Sequence, residues 1–211
     1  MALKAVIFDF DGTLYSKTAI PVFLILGNIF NLRAIRAERK ALRELAGRYF
    51  ENSKDYFDEL FRTMSRIGTR SAAYYEKWYW KKYMPLMVQV IAKRTHPRPN
   101  IKTFIDAFHS KGLKVAILSD YPMVKAKLQA LNVDPSLFDA IYESPTMGGL
   151  KPCGQTFLSV CQSLGVKPVE AVMIGDKIAT DGGASKVGMN FRHVTSDEEW
   201  NFICISLIRN L

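Results

Sequence analysis

The strongest constraint on the fold is a short stretch near the start of the chain, Lys4 to Thr13. Ala5, Val6, Ile7 and Phe8 form an apolar, partly β-branched run, and Asp9 and Asp11 follow at once. A run this short, broken by Gly12 and Thr13, predicts a buried strand that delivers carboxylates at its carboxyl end. Carboxylates at i and i+2 on an extended chain point to the same side. With a cation beside them, one can attack phosphorus while the other moves a proton. Gly12 permits a tight turn that frees backbone N–H groups to face a substrate. The competing readings are a plain acidic strand end and a metal site without catalysis.

Beyond residue 98 the pattern alternates. Helices are expected over 101–111, 124–131, 155–164 and 181–187, and strands over 114–118, 140–143, 171–174 and 190–194. Ser196 with Glu199 forms a capping-box pattern for a last helix. Such alternation predicts an α/β fold, a Rossmann-like parallel sheet with helices on both faces. Ligands of such sheets sit beyond the carboxyl ends of the strands.

Between Ser16 and Arg98 the texture changes. Helices are expected over 19–33, 36–50, 53–64, 71–83 and 85–93, and strand patterns are few. Pro97 and Pro99 mark a linker, since proline disfavours helix continuation. The expected domains are therefore an α/β core of residues 1–16 and 98–211, split by an all-helical segment of residues 17–97. Tyr74, Tyr75, Trp78, Tyr79, Trp80 and Tyr83 crowd its fourth helix, either as packing or as a substrate-facing wall.

Composition sharpens this division. The 211 residues carry a net charge of +9, yet residues 16–98 hold 17 Lys and Arg against 7 Asp and Glu, while the remainder holds 12 against 13. The excess fits an anionic substrate, which positive charge concentrates locally; it fits a solvated helical surface equally. The three cysteines, Cys153, Cys161 and Cys204, lack metal-ligand spacing and read as reduced thiols. The longest apolar run, residues 19–32, falls short of the roughly 20 residues that span a bilayer. A buried amphipathic helix is the expectation, with a membrane-surface helix as the alternative. No secretion signal is visible, and the cytoplasm is the expected location.

Further candidates stand at other expected strand ends. Ser119 follows the apolar run Val115–Leu118, where its hydroxyl could bind a phosphoryl oxygen or simply cap the next helix. Lys151 lies in a Gly/Pro-rich loop, where a lysine can stabilise negative charge and keep a nucleophile ionised. Asp176 and Asp181 follow the strand expected at 171–174. Asp176 can bind a metal directly, and Asp181 can hold a metal-bound water or orient Lys151. Each is weak alone, as an acidic turn or a solvated lysine.

Taken in order, Asp9 and Asp11, Ser119, Lys151, then Asp176 and Asp181 resemble the four motifs of the haloacid dehalogenase superfamily. The resemblance covers roughly 1–16 and 98–211. It implies Asp9 as nucleophile, Asp11 as general acid/base, and Lys151 as a catalytic cation. It implies phosphate contacts from Ser119, Lys151 and Gly12, with Asp120 beside them. It implies Mg²⁺ at a site built from Asp9, Asp11, Asp176 and Asp181. Asp11 argues against the dehalogenase branch, and a helical insertion after the first motif is similar to mobile caps. Asp120 departs from the Asn that many relatives carry, and Lys177 from a small polar residue. The implied activity is hydrolysis of a small phosphate monoester through an aspartyl phosphate. Phosphoryl transfer, as in a sugar-phosphate mutase, uses the same chemistry and stays open. An anion- or nucleic-acid-binding role for the basic segment is the third reading, disfavoured because a binder does not need an intact motif set. A monomer is the default expectation.

Overall fold

The computed structural model describes residues 2–18 and 20–210. Five parallel strands form one sheet: β1 (Ala5–Phe8), β2 (Lys114–Ser119), β3 (Ala140–Glu143), β4 (Ala171–Gly175) and β5 (Asn190–His193), ordered β3-β2-β1-β4-β5. All five expected strands are present, with ends within one residue. β1 is central, and Phe8 lies level with Ile117 on one side and Ile174 on the other. The chain moves outward from β1 through β2 and β3, then returns across β1 to β4. That reversal leaves a crevice beyond the carboxyl ends of β1 and β4.

Between β1 and β2 lie α1 (Ile20–Leu26), α2 (Leu32–Leu45), α3 (Ser53–Ile67), α4 (Ala72–Trp78), α5 (Met84–Arg94) and α6 (Ile101–Ser110). Then come α7 (Val124–Ala130), α8 (Gly154–Leu164) and α9 (Asp197–Arg209). Val6 and Phe8 join Ile117, Ile174, Phe108, Leu128 and Trp200 in one core. Ala5 and Ile7 join Leu118, Met173, Phe157 and Val160 in a second core on the other face. Burial on both faces explains why the central strands are apolar throughout rather than alternating.

The helical insertion departs from expectation in informative places. The helix expected over 19–33 stops at Leu26, and α2 starts at Leu32 rather than 36 and ends at Leu45 rather than 50. Ala19 itself lies outside the described residues. Buried Asn28 makes the break: its amide donates to the Leu24 carbonyl at 3.0 Å, and its side-chain oxygen accepts from the Trp78 indole at 3.2 Å. A side chain bonded to its own backbone competes with helix continuation. The run was expected to be buried, yet Val22, Leu26, Ile29, Phe30 and Leu32 are exposed. The helices expected over 71–83 and 85–93 are continuous, joined by a π-helical turn at Tyr79–Tyr83 that absorbs Pro85. Tyr75, Trp78, Tyr79 and Tyr83 are buried, and Trp78 stacks on Tyr83 at 4.8 Å, so these rings mainly pack helices.

Residues 181–187 form 3₁₀ turns rather than the expected α-helix. Gly182 and Gly183 are poor helix formers, and a Cβ at Gly183 would lie 2.5 Å from Pro152. Ser196 caps α9 by accepting from the Glu199 N–H at 3.2 Å, but the Glu199 carboxylate accepts from the Thr195 N–H, not from Ser196. The two chain segments joining the insertion to the sheet lie side by side: Tyr15 and Pro97 form an antiparallel bridge, and the Arg98 N–H donates to the Leu14 carbonyl at 2.8 Å.

Candidate active site

Asp9 follows β1, and its N–H donates to the Ile174 carbonyl at 2.8 Å, which fixes its backbone to β4. Lys151, buried in the loop before α8, donates to Asp9 Oδ1 at 2.6 Å, Asp181 Oδ1 at 2.6 Å and the Leu118 carbonyl at 3.2 Å. Burial alone would lower the Lys151 pKa, but Asp9, Asp120 and Asp181 outweigh it and hold the ammonium well above its usual value. Burial pushes the Asp9 carboxyl up to about 6, against the opposing pull of Lys151. The Thr13 hydroxyl donates to Asp9 Oδ2 at 3.1 Å.

Asp11 sits one turn on, beside different partners. Tyr15 donates to Oδ1 at 2.6 Å, and fully buried Lys127 of α7 donates to Oδ2 at 2.7 Å. Burial would raise the Asp11 pKa, but Lys127, Tyr15 and Lys17 outweigh it and hold the carboxyl below its usual range. Ser119 ends β2; its hydroxyl lies 3.4 Å from Asp11 Oδ2, 2.9 Å from the Tyr121 carbonyl, and accepts from the Tyr121 N–H at 3.2 Å. Ser119 therefore shapes its own turn as well as facing Asp11. Asp120 turns toward the Lys151 loop and accepts from the Lys151 N–H at 3.1 Å; burial raises its pKa, with Lys151 opposing.

Asp176 follows β4. The Lys17 ammonium bridges Asp176 Oδ2 and the Asp11 carbonyl, the latter at 3.1 Å. Asp181 is bonded through both oxygens, Oδ1 accepting from Lys151 and Oδ2 from the Lys177 N–H at 3.0 Å. Gly12 has φ +106°, and a Cβ there would lie 2.5 Å from Asp176 Oδ2 and 2.7 Å from the Lys17 amine. Only glycine leaves room for these groups to converge.

The donor set suits a divalent cation. Carboxylate oxygens of Asp9, Asp176 and Asp181 lie within 4.8 Å of one another, and hard oxygen donors are what Mg²⁺ takes. Lys17 supplies the test of fit. Its ammonium stands as a cation between a carboxylate and a backbone carbonyl, which shows that this position attracts positive charge.

The sequence-derived candidates thus converge at one crevice. Lys127, Tyr15, Lys17, Thr13 and Arg98 were not among them. Buried Arg98, read as part of a linker, donates to the Thr13 carbonyl at 3.1 Å, the Gly12 carbonyl at 3.3 Å and Asp197 at 2.5 Å. It clamps the loop carrying Asp11. The fully buried position of Lys127 on α7 has no signal in the sequence, where a helical lysine reads as solvated. A cleft of about 170 Å³ opens over Asp9, Lys151 and Asp176, lined also by Leu42 and Arg43 of α2 and by Ala46 just after it. Lys177, expected to be solvated, is exposed and lines the same cleft.

Comparison with known proteins agrees with this geometry. A family model described as haloacid dehalogenase-like hydrolase matches residues 3–188. The chain belongs to that family. It is 28% identical to the phosphoglycolate phosphatase of Aquifex aeolicus, over 88% of this chain and 82% of that protein. It is 29% identical to the glyceraldehyde 3-phosphate phosphatase of Methanopyrus kandleri, over 89% and 82%. The fold resembles that of β-phosphoglucomutase from Clostridium difficile, with a TM-score of 0.66 at 16% identity over 99% and 98% of the two chains. It also resembles the HAD phosphatase from Thermococcus onnurineus, with a TM-score of 0.61 at 23% identity over 95% and 97%. This haloacid dehalogenase-like hydrolase is accordingly an enzyme with a parallel-sheet core and a helical insertion between β1 and β2.

Proposed function

We propose that this enzyme is a Mg²⁺-dependent phosphatase that hydrolyses a small phosphate monoester through an aspartyl phosphate on Asp9. The observation that carries this reading is the convergence of Asp9, Asp11, Lys151 and Asp176 on one cleft, with Lys151 bonded to Asp9. The two phosphatase relatives support a phosphorylated small molecule as substrate.

Asp9, held by Lys151 and Thr13, attacks phosphorus as the ester P–O bond breaks. Asp11 gives a proton to the departing alkoxide; the negative charge of the bound phosphate opposes the pull of Lys127 and Tyr15 and raises the proton affinity of Asp11 for this step. Asp11 then takes a proton from water, which attacks the aspartyl phosphate, releases inorganic phosphate and restores the Asp9 carboxylate. Lys151 balances charge on the phosphoryl oxygens and keeps Asp9 ionised, and Asp181 orients Lys151. Ser119 and the Gly12 backbone face the phosphoryl group. Mg²⁺ would be held by Asp9, the Asp11 carbonyl and Asp176, with Asp181 behind them. When bound, it supplies charge that offsets repulsion between two carboxylates and a phosphate dianion.

Residues 17–97 act as a mobile cap in this account, closing over substrate to exclude bulk water. Arg43 and Lys177 line the cleft and provide positive charge near its mouth. Hydrolysis of an aryl phosphate with Mg²⁺, with chelator, and in Asp9→Asn tests the reading. Turnover that needs both the ion and Asp9 is the expected result. Comparable turnover in pure Asp9→Asn removes Asp9 as nucleophile.

A further inference from the structure

The catalytic reading leaves the most exposed apolar surface of the chain without a role. From Ile20 to Leu32 the sequence carries no charge. Ile20 and Leu24 turn inward, while Val22 is 56% exposed, Leu26 58%, Ile29 57% and Phe30 94%. Leaving one such side chain in water is ordinary; a contiguous group at the tip of one element marks an interaction site.

This tip is locked rather than loose. Asn28 is fully buried, bonded to the Leu24 carbonyl and the Trp78 indole, and the Tyr74 hydroxyl donates to Asn31 Oδ1 at 2.8 Å. These bonds fix the turn that carries Ile29 and Phe30, so the rings and branches point outward from a rigid base.

Basic residues border it. Arg33, Arg36, Arg39, Lys40 and Arg43 of α2 are all exposed. One groove of about 430 Å³ combines Ile25, Leu32 and Ile35 with Arg36, Arg39 and Lys40. A second, of about 410 Å³, combines Ile29, Phe30 and Leu32 with Arg33 and Arg70. No acidic residue lines either groove.

We propose that the tip formed by α1 and the turn before α2 docks on an anionic phospholipid bilayer. Ile29, Phe30 and Leu26 enter the acyl boundary, and Arg33, Arg36 and Lys40 meet lipid phosphates. Interfacial elements of this kind combine an apolar face with a basic one, and basic residues near a bilayer are drawn by its anionic lipids. No single helix among the described residues is long and apolar enough to cross a membrane, and the pair Ile20–Leu26 with Ile29–Leu45, which together reaches that length, is bent by 87°; the proposed contact is therefore with the bilayer surface. A second copy of the chain fits this surface less well. A two-fold contact would set the same arginines against one another, in a chain whose net charge is already +9. A nucleic acid would match the charge but has no use for Leu26 and Val22 on the outer face of α1.

The test is flotation of the full chain with vesicles of phosphatidylcholine, with and without phosphatidylglycerol, at physiological ionic strength. Wild type should float with the anionic vesicles and stay below with the neutral ones. Ile29→Ser with Phe30→Ser should weaken binding by about tenfold or more, since both apolar insertions are lost. Arg36→Gln with Lys40→Gln should weaken it by about tenfold. Both double variants should keep the wild-type rate on a soluble ester, which shows that they fold. Failure of wild type to float with anionic vesicles overturns the proposal, as does undiminished binding by the Ile29/Phe30 variant. Sedimentation equilibrium separates the other occupant. A wild-type dimer that the Ile29/Phe30 variant turns into a monomer assigns the surface to a second copy and overturns the proposal.

Discussion

Lys127 and Lys17 give this active site a charge balance that its four sequence motifs do not contain. Lys127 is fully buried on Asp11 Oδ2, so Asp11 is held ionised despite its burial. Lys127→Met keeps most of the side-chain volume and removes the charge. Burial then dominates, the Asp11 pKa rises, and its basic form appears only at higher pH. The acid limb of kcat should move up by about one to three pH units, the usual reach of a close opposite charge. A pH–rate profile checks this, and an unmoved limb removes Lys127 from the control of Asp11. Lys17 acts differently. Its partly exposed ammonium bridges Asp176 and the Asp11 carbonyl, so it competes with an incoming cation. Lys17→Gln should tighten Mg²⁺ binding by roughly two- to fivefold, the scale of a partly exposed ion pair. Isothermal titration calorimetry reads this without turnover, and weaker binding would instead make Lys17 a support of the site.

At the scale of the element, α2 carries a buried acid that the chemistry does not use. Glu38 is fully buried and, among the described residues, no donor reaches hydrogen-bonding geometry on either oxygen. Burial pushes its carboxyl up to about 7, with the Tyr121 and Tyr83 hydroxyls and Arg39 only partly offsetting it. The folded state therefore binds this proton more tightly than the unfolded chain does. The stabilisation is complete below about 4.5 and fades as pH rises toward 7. The full loss, reached above pH 7, is on the order of 3 kcal/mol, counted at about 1.4 kcal/mol per unit. Glu38→Gln should flatten that decline, as read by urea unfolding across this range. An equally steep decline in the variant would place its origin elsewhere. The helix expected over 36–50 carried no sign of this buried acid, because the environment of Glu38 depends on Tyr83 of the π-helical turn and Tyr121 of the loop after β2. The same limit applies at Asn28. Its sequence neighbourhood reads as uninterrupted helix, and only the distant Trp78 makes the break stable.

For the whole molecule, the sheet was legible because short apolar runs of the central strands have no other way to be buried. The site was legible where its residues end or follow strands: Asp9, Ser119 and Asp176 stand at the carboxyl ends of β1, β2 and β4, and Lys151 reaches Asp9 from a later loop. It was not legible where helices deliver groups from afar, as with Lys127, or where a linker residue turns inward, as with Arg98. Arg98 ties Gly12 and Thr13 to Asp197 at the start of α9. Arg98→Met should therefore loosen the Asp11 loop and lower kcat. It should also destabilise the fold by about 1–3 kcal/mol, the cost of leaving the buried Gly12 and Thr13 carbonyls unpaired, since the Asp197 carboxylate is exposed. Thermal unfolding and kinetics together check this; loss of stability with full kcat would confine Arg98 to the scaffold.

The proposed chemistry turns on one bond, between Asp9 and phosphorus. The most direct measurement is acid quench of enzyme turning over a phosphorus-radiolabelled aryl phosphate, followed by peptide mapping. Label is expected on the peptide that carries Asp9, sensitive to hydroxylamine as an acyl phosphate is, and absent in Asp9→Asn. Turnover with no covalent label at any quench time, or label on a different residue, would contradict it.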